Sequence, residues 1–215
     1  PTDAPFELHL EHTMTALYNS IQGLVPASRG RTIEFIAPHA GSGTSTLIRE
    51  FAKVVAVKLK KSVLLLDADT HAPTLAKEFN FEQQEGWDSV FDRRERIESV
   101  LHPVEGSRLT VSQLLVSEST QPLLFESSQF KGMLNRLKET FDLILIDAPP
   151  ATQYAEGLVL SSKVDGVVMV LAAEETRWQV VEDVQRRLNM IGGNVVGALL
   201  NKQRFHIPKT IYKRI

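Results

Sequence analysis

Pro38-His39-Ala40-Gly41-Ser42-Gly43-Thr44-Ser45-Thr46 lies between an apolar run containing Ile33, Phe35 and Ile36 and a segment, 47–59, whose apolar residues recur at helical spacing. Glycines at a strand-to-helix turn let backbone N–H groups come close to phosphate oxygens. The helix that follows adds unpaired N–H groups and the positive end of its dipole. Gly41 and Gly43 supply the turn, and Ser45 stands where the hydroxyl of a phosphate-binding loop G-x-x-x-x-G-K-[ST] meets Mg²⁺. Two positions depart from that pattern. Pro38 takes the place of the first glycine, and Thr44 takes the place of the lysine that neutralises the β/γ-phosphates. Alone, the stretch reads equally as an ordinary strand-to-helix turn, so the rest of the chain has to decide.

Working outward, residues 31–37 read as the strand entering the loop, and residues 44–61 as the helix leaving it, with Leu47, Phe51, Val54, Val55 and Leu59 on one face. Lys58, Lys60 and Lys61 read as a solvated last turn that suits the helix dipole. Residues 62–69 (SVLLLDAD) form a continuous apolar run ending in two acids, as expected of a buried parallel strand whose carboxyl end faces a site. If that strand continues, Asp67 and Asp69 share a side and suit a Mg²⁺-water shell or a base; the alternative is that they cap a helix over 70–81. Residues 141–147 (FDLILID) repeat the pattern and end at Asp147, where Pro149 and Pro150 stop the strand.

Residues 7–24 are expected to form an amphipathic helix, and 81–129 a polar, irregularly helical stretch packed by Trp87, Val90, Phe91, Ile97, Val100 and Leu101, with a short strand at 109–111. The cluster at 92–96 mixes signs and reads as a solvated helix face. Helices at 130–140, 157–162 and 175–190 then alternate with strands at 166–172 and 194–200, the last closing at Asn201. Such alternation implies an α/β domain with a mostly parallel central sheet and helices on both faces.

The whole of 1–215 is expected to be one domain, with 1–30 as a flanking helix and linker and 205–215 as a basic tail, since no compositional break divides the chain. A formal net charge of -2 gives no general attraction to nucleic acid or anionic lipid, so no nucleic-acid partner is expected. With no cysteine there is no disulfide or thiol chemistry, as suits a cytoplasmic location. No apolar run approaches the roughly 20 residues that span a bilayer, and no signal peptide opens the chain. The start at Pro1 instead of Met suggests one part of a longer polypeptide.

Together the loop PHAGSGTST, the strand VLLLDAD followed by Pro73, the segments around His102-Pro103 and Pro122-Leu123-Leu124, the strand FDLILIDAPP, VDGVVMV and the ending VVGALLN resemble the MinD/ParA-like branch of P-loop NTPases. Within it they most resemble the cytoplasmic domain of bacterial tyrosine kinases of capsule and exopolysaccharide systems. The resemblance implies that ATP or ADP with Mg²⁺ is the cofactor. It implies that the backbone of Gly41, Ser42, Gly43, Thr44, Ser45 and Thr46 holds phosphates, and that Ser45, Asp67 and Asp147 organise the metal. Asp69, with Asp67, would carry the catalytic role, and Asn201 would read the adenine edge. It also implies a membrane-anchored chain-length regulator as partner.

Three kinase features depart from the family. Thr44 removes the lysine, the family's E-x-x-R-x-x-R ring element reads Glu11-x-x-Met14-x-x-Leu17, and the tyrosine-rich tail is reduced to Tyr212. Loss of a preorganised cation costs several kcal/mol in the transition state, so an impaired, regulatory relative is expected. Homo-oligomerisation through the ring element is correspondingly weakened. His39, at the family's additional signature lysine, is the candidate substitute cation for an active ATPase or kinase. A nucleotide-free structural module is the remaining alternative.

Overall fold

The computed structural model describes residues 4–26, 29–81, 85–92, 97–115 and 121–203. The tail at 205–215, with Tyr212, and residues 93–96 of the mixed-charge cluster lie outside the described residues.

Continuous apolar runs become the buried strands: β1 (Arg31–Ile36), β2 (Val63–Asp67), β5 (Leu143–Asp147) and β6 (Gly166–Ala172). With β3 (His102–Pro103), β4 (Leu109–Gln113) and β7 (Val195–Asn201) they make a seven-stranded sheet in the order β3-β4-β2-β5-β1-β6-β7. Among the described residues, only the two-residue β3 runs antiparallel. Every parallel pairing needs a crossover, and the helices that supply these crossovers cover both faces of the sheet.

Alternation along the strands divides the core. Ile33, Phe35, Val63, Leu65, Leu143 and Leu145 face α1 (Ala4–Leu24) and α2 (Thr44–Val57), where Phe51 meets Phe35 with ring centroids 5.8 Å apart. Leu64, Leu66, Ile144, Ile146, Val167 and Met169 face the other way. That second layer contains α6 (Ser128–Thr140), α7 (Ala155–Ser161) and α8 (Trp178–Met190). Ser127 starts α6 by accepting the Phe130 N–H at 3.1 Å. Each fully buried side chain of this size contributes about 1.5–3 kcal/mol, which makes the sheet a firm base for its loops.

Several expectations from sequence are corrected. The helix expected over 70–81 shrinks to α3 (Leu75–Glu78), and Asp69 does not cap it. Pro73 disfavours helical backbone at Ala72, and Asp69 Oδ1 instead accepts the N–H groups of His71 and Ala72 at 3.0 and 3.2 Å. The strand ends at Asp67, so Asp67 and Asp69 do not share a strand face; they meet because Asp69 N–H donates to Asp67 Oδ1 at 3.0 Å. Helix α2 stops at Val57, short of Lys61, where Lys60 takes a left-handed φ of 55°. Lys58 is not merely solvated, since its Nζ pairs with Glu11 of α1 at 2.8 Å. Between Trp87 and Gln129 the chain forms α4 (Ser89–Asp92), a 3₁₀ turn (Ile97–Val100) and α5 (Gln121–Glu126) besides β3 and β4. Among the described residues no helix is long and apolar enough to cross a membrane.

Candidate functional site

Three central strands end together. Asp67 of β2 is the register partner of Asp147 of β5, which in turn pairs with Phe35 of β1. From β1 the chain leaves the sheet into the loop that opens α2. Gly41 and Gly43 adopt φ of 78° and 83°, a region that favours glycine, and Gly43 begins the helix with no side-chain cap. The first N–H groups of a fourteen-residue helix are therefore left facing the loop. Within the loop, Ser42 Oγ donates to the His39 carbonyl at 2.9 Å.

A cleft of about 220 Å³ lies over this loop, lined by His39, Gly41, Ser42, Gly43, Thr44, Ser45, Thr46, Asp69, Thr74 and Asp147 among others. Asp67 lies beneath the lining, only 1% exposed. Asn201 comes from the last strand to clamp the loop, its Nδ2 donating to the Ser42 carbonyl at 2.9 Å. The His39 ring meets Thr152 Oγ1 at 3.0 Å, and Thr152 in turn donates to the Pro38 carbonyl at 2.6 Å. The imidazole is thus tied to the loop after β5.

Electrostatically the site is acidic, and its two strand-end carboxyls are buried. Burial pushes the Asp67 carboxyl up to about 6, against the N–H groups of Thr74 and Asp69 that donate to it. Burial, and then the neighbouring Asp67, push Asp147 well above the usual carboxylate range, while Ser45 and Arg49 act in the opposite sense. Asp147 Oδ2 is buried without a hydrogen-bond partner. An orphaned acceptor beside Ser45, at the mouth of a glycine loop, is what the hydration shell of a phosphate-bound Mg²⁺ would satisfy, so the residues present fit that group. Among the described residues no three metal-ligating side chains converge to hold an ion by themselves, so phosphate and water would complete its shell.

Two residues matter more than their sequence suggested. Trp87, expected only as packing, is fully buried and donates through Nε1 to the Asp67 carbonyl at 3.2 Å. Arg49 belongs to none of the sequence motifs. It lies on α2 four residues beyond Ser45, is 8% exposed, and donates to Thr74 Oγ1 at 2.9 Å and to Thr46 Oγ1 at 3.4 Å. An arginine embedded in the apolar spacing of a helix was the available clue.

Comparison with known proteins agrees with this geometry. A family model described as ParA, NUBPL iron-transfer P-loop NTPase, matches residues 30–214. With no cysteine, the chain lacks the thiolates of an iron–sulfur site, so the iron-transfer part of that description finds no ligands here. Tyrosine-protein kinase ptk of Acinetobacter johnsonii is 28% identical over 88% of this chain, and the chain spans 26% of that protein's length. Tyrosine-protein kinase YwqD of Bacillus subtilis is 26% identical over 76% of this chain and 69% of its own length. Among solved structures, the VpsO kinase domain superposes with a TM-score of 0.79 at 25% identity, covering 94% of this chain and 98% of that one. The Mg-ADP complex of Pyrococcus horikoshii MinD superposes with a TM-score of 0.65 at 16% identity, over 86% of this chain and 76% of that one, and shows the shared fold. Since the family model matches residues 30–214 and the strands and the loop, from Arg31 to Asn201, lie within that match, the chain belongs to the ParA family of P-loop NTPases and is bacterial tyrosine kinase-like within it.

Proposed function

We propose that this chain is a capsule or exopolysaccharide kinase-like domain that binds ATP or ADP with Mg²⁺, transfers phosphate poorly, and regulates a membrane-anchored chain-length regulator from the cytoplasmic face. The observation that carries this reading is Thr44. The loop around it retains its glycine conformations and its clamp by Asn201, while the residue that would place a cation on the β/γ-phosphates is a neutral alcohol.

The residues divide the work as follows. Backbone N–H groups of Gly41 to Thr46 and the start of α2 bind phosphate oxygens. Ser45, Asp147 and, from below, Asp67 hold the metal, which when bound supplies charge neutralisation to the phosphates. Asp69, on the cleft wall, is placed to orient an acceptor hydroxyl, although two backbone N–H groups already occupy its Oδ1. At about 220 Å³ the cleft is smaller than the roughly 300–1,000 Å³ of small-molecule sites, which suits the phosphate end of a nucleotide with its base outside, near Asn201.

The test is transfer of labelled γ-phosphate to the chain itself. Wild type is expected to incorporate roughly 10²- to 10³-fold less than Thr44→Lys, the usual effect of one preorganised electrostatic group. Equal incorporation by both, abolished by Asp69→Asn, would make this an active kinase and overturn the regulatory reading.

A further inference from the structure

Removing the lysine leaves an imbalance. Asp69 and Asp147 line the cleft that is to accept negative charge and Asp67 lies beneath it, yet among the described residues no lysine or arginine lines it. Directly behind the lining stands Arg49. Its guanidinium donates to Thr46 Oγ1 and Thr74 Oγ1, and both of those threonines do line the cleft. Its charge also reaches Asp147, the acid nearest the loop hydroxyl Ser45.

We propose that Arg49 takes over the electrostatic part of the missing lysine, acting from behind the cleft wall as a positioning residue for nucleotide phosphates. The inference rests on the nucleotide-binding reading and deepens it. A guanidinium cannot lose its proton in a protein, so the charge is permanent. With both threonine hydroxyls accepting from Arg49, their own hydrogens are free to turn toward the cleft, where they can donate to phosphate oxygen. At 8% exposure the charge is little screened by water, so it acts over a greater distance than a surface lysine would. It stands too far back to touch the transferring group, which fits a site that holds nucleotide and transfers phosphate slowly. The competing partner is Glu78, whose Oε1 lies 3.5 Å from Nη2 but whose side chain is half exposed and solvated.

The experiment is calorimetric titration of the full chain with ADP and, separately, with adenosine, both with Mg²⁺, for wild type, Arg49→Gln, Arg49→Lys and Glu78→Gln. Melting temperatures are recorded in parallel. Arg49→Gln is expected to weaken ADP about tenfold while leaving adenosine unchanged, and Arg49→Lys to recover most of the loss. Glu78→Gln is expected to tighten ADP several-fold by freeing the charge, an effect that a purely structural role for Arg49 would not produce. Should Arg49→Gln fail to fold, the Arg49→Lys and Glu78→Gln results decide. ADP binding that is the same in all variants, or equal loss of ADP and adenosine, would overturn the role of Arg49 alone. A wild-type chain that binds neither ligand would overturn the nucleotide reading and this inference with it.

Discussion

Gly43 and Glu34 are single residues whose surroundings dictate what a substitution must do. A methyl group at Gly43 would collide with the side-chain amide of Asn201, and the φ of 83° is strained for any L residue. Gly43→Ala should therefore cost about 1–3 kcal/mol in urea unfolding and should weaken nucleotide binding as well, since the loop and its clamp move together. Glu34 is a different case. It is fully buried in β1, and neither carboxylate oxygen has a hydrogen-bond partner. Burial holds its carboxyl well above the ordinary 4.5. The nearby Ser161 hydroxyl opposes that shift, but its proton is already donated to the Gly157 carbonyl at 2.9 Å. Once the pH passes about 4.5 the unfolded chain loses this proton while the native state keeps it. Stability is then complete below that pH and falls by up to about 1.4 kcal/mol per pH unit as pH rises toward the native value. Asp67 adds a loss of the same sign up to pH about 6. Glu34→Gln should flatten the Glu34 part of this decline, so that the variant is the more stable protein at pH 7; denaturant midpoints at pH 5 and pH 7 check both the sign and the slope.

At the scale of elements, Trp87 links the second core layer to the site. Its ring stacks with Phe125 and lies 5.9 Å from Phe130 at the start of α6, while its Nε1–H bonds the Asp67 carbonyl, which also accepts from Leu114 N–H at 2.9 Å. Because that carbonyl keeps a second donor, Trp87→Phe should cost only about 0.5–1.5 kcal/mol, whereas Trp87→Ala, which empties the cluster, should cost about 3–5 kcal/mol. Thermal melts of the two variants separate the hydrogen bond from the packing. The same elements explain what was legible in the sequence. β1, β2, β5 and β6 announced themselves because strands buried on both faces must be continuously apolar, and Asp67 and Asp147 because acids ending such strands stand out. β3 and α5 did not, and α3 showed only as a longer helix over 70–81, so its bounds were not legible. They are two to six residues long, too short for periodicity, and are held by contacts with other segments, such as the Ala76 N–H donating to Gln113 Oε1, His102 pairing with Val111 and Phe125 stacking on Trp87, which leave no local pattern. The placement of Arg49 is not legible in sequence for the same reason, since its partners Thr74 and Glu78 belong to another segment of the chain.

For the whole molecule, the sheet, its two helical layers and the loop at its carboxyl end set a glycine-turn backbone beside a buried pair of carboxyls, and the cost of that pair is borne by the entire fold. Asp147→Asn removes a buried acid that is destabilising when ionised, so it should raise unfolding stability at pH 7 by about 1–3 kcal/mol while abolishing Mg²⁺-dependent nucleotide binding. A gain in stability together with a loss of binding would mark the acid as retained for function; if Asp147→Asn bound nucleotide normally, the metal assignment would be wrong. The most direct measurement on the central claim, that the loop still holds nucleotide although Thr44 stands at the lysine position, is calorimetric titration with ADP with and without Mg²⁺, for wild type and Thr44→Lys. Wild type is expected to bind ADP in a Mg²⁺-dependent way near the micromolar range, about −8 kcal/mol, and Thr44→Lys to bind it about tenfold or more tightly. Absence of binding by the wild-type chain, whether or not Thr44→Lys restores it, would mean that the loop with Thr44 does not hold nucleotide.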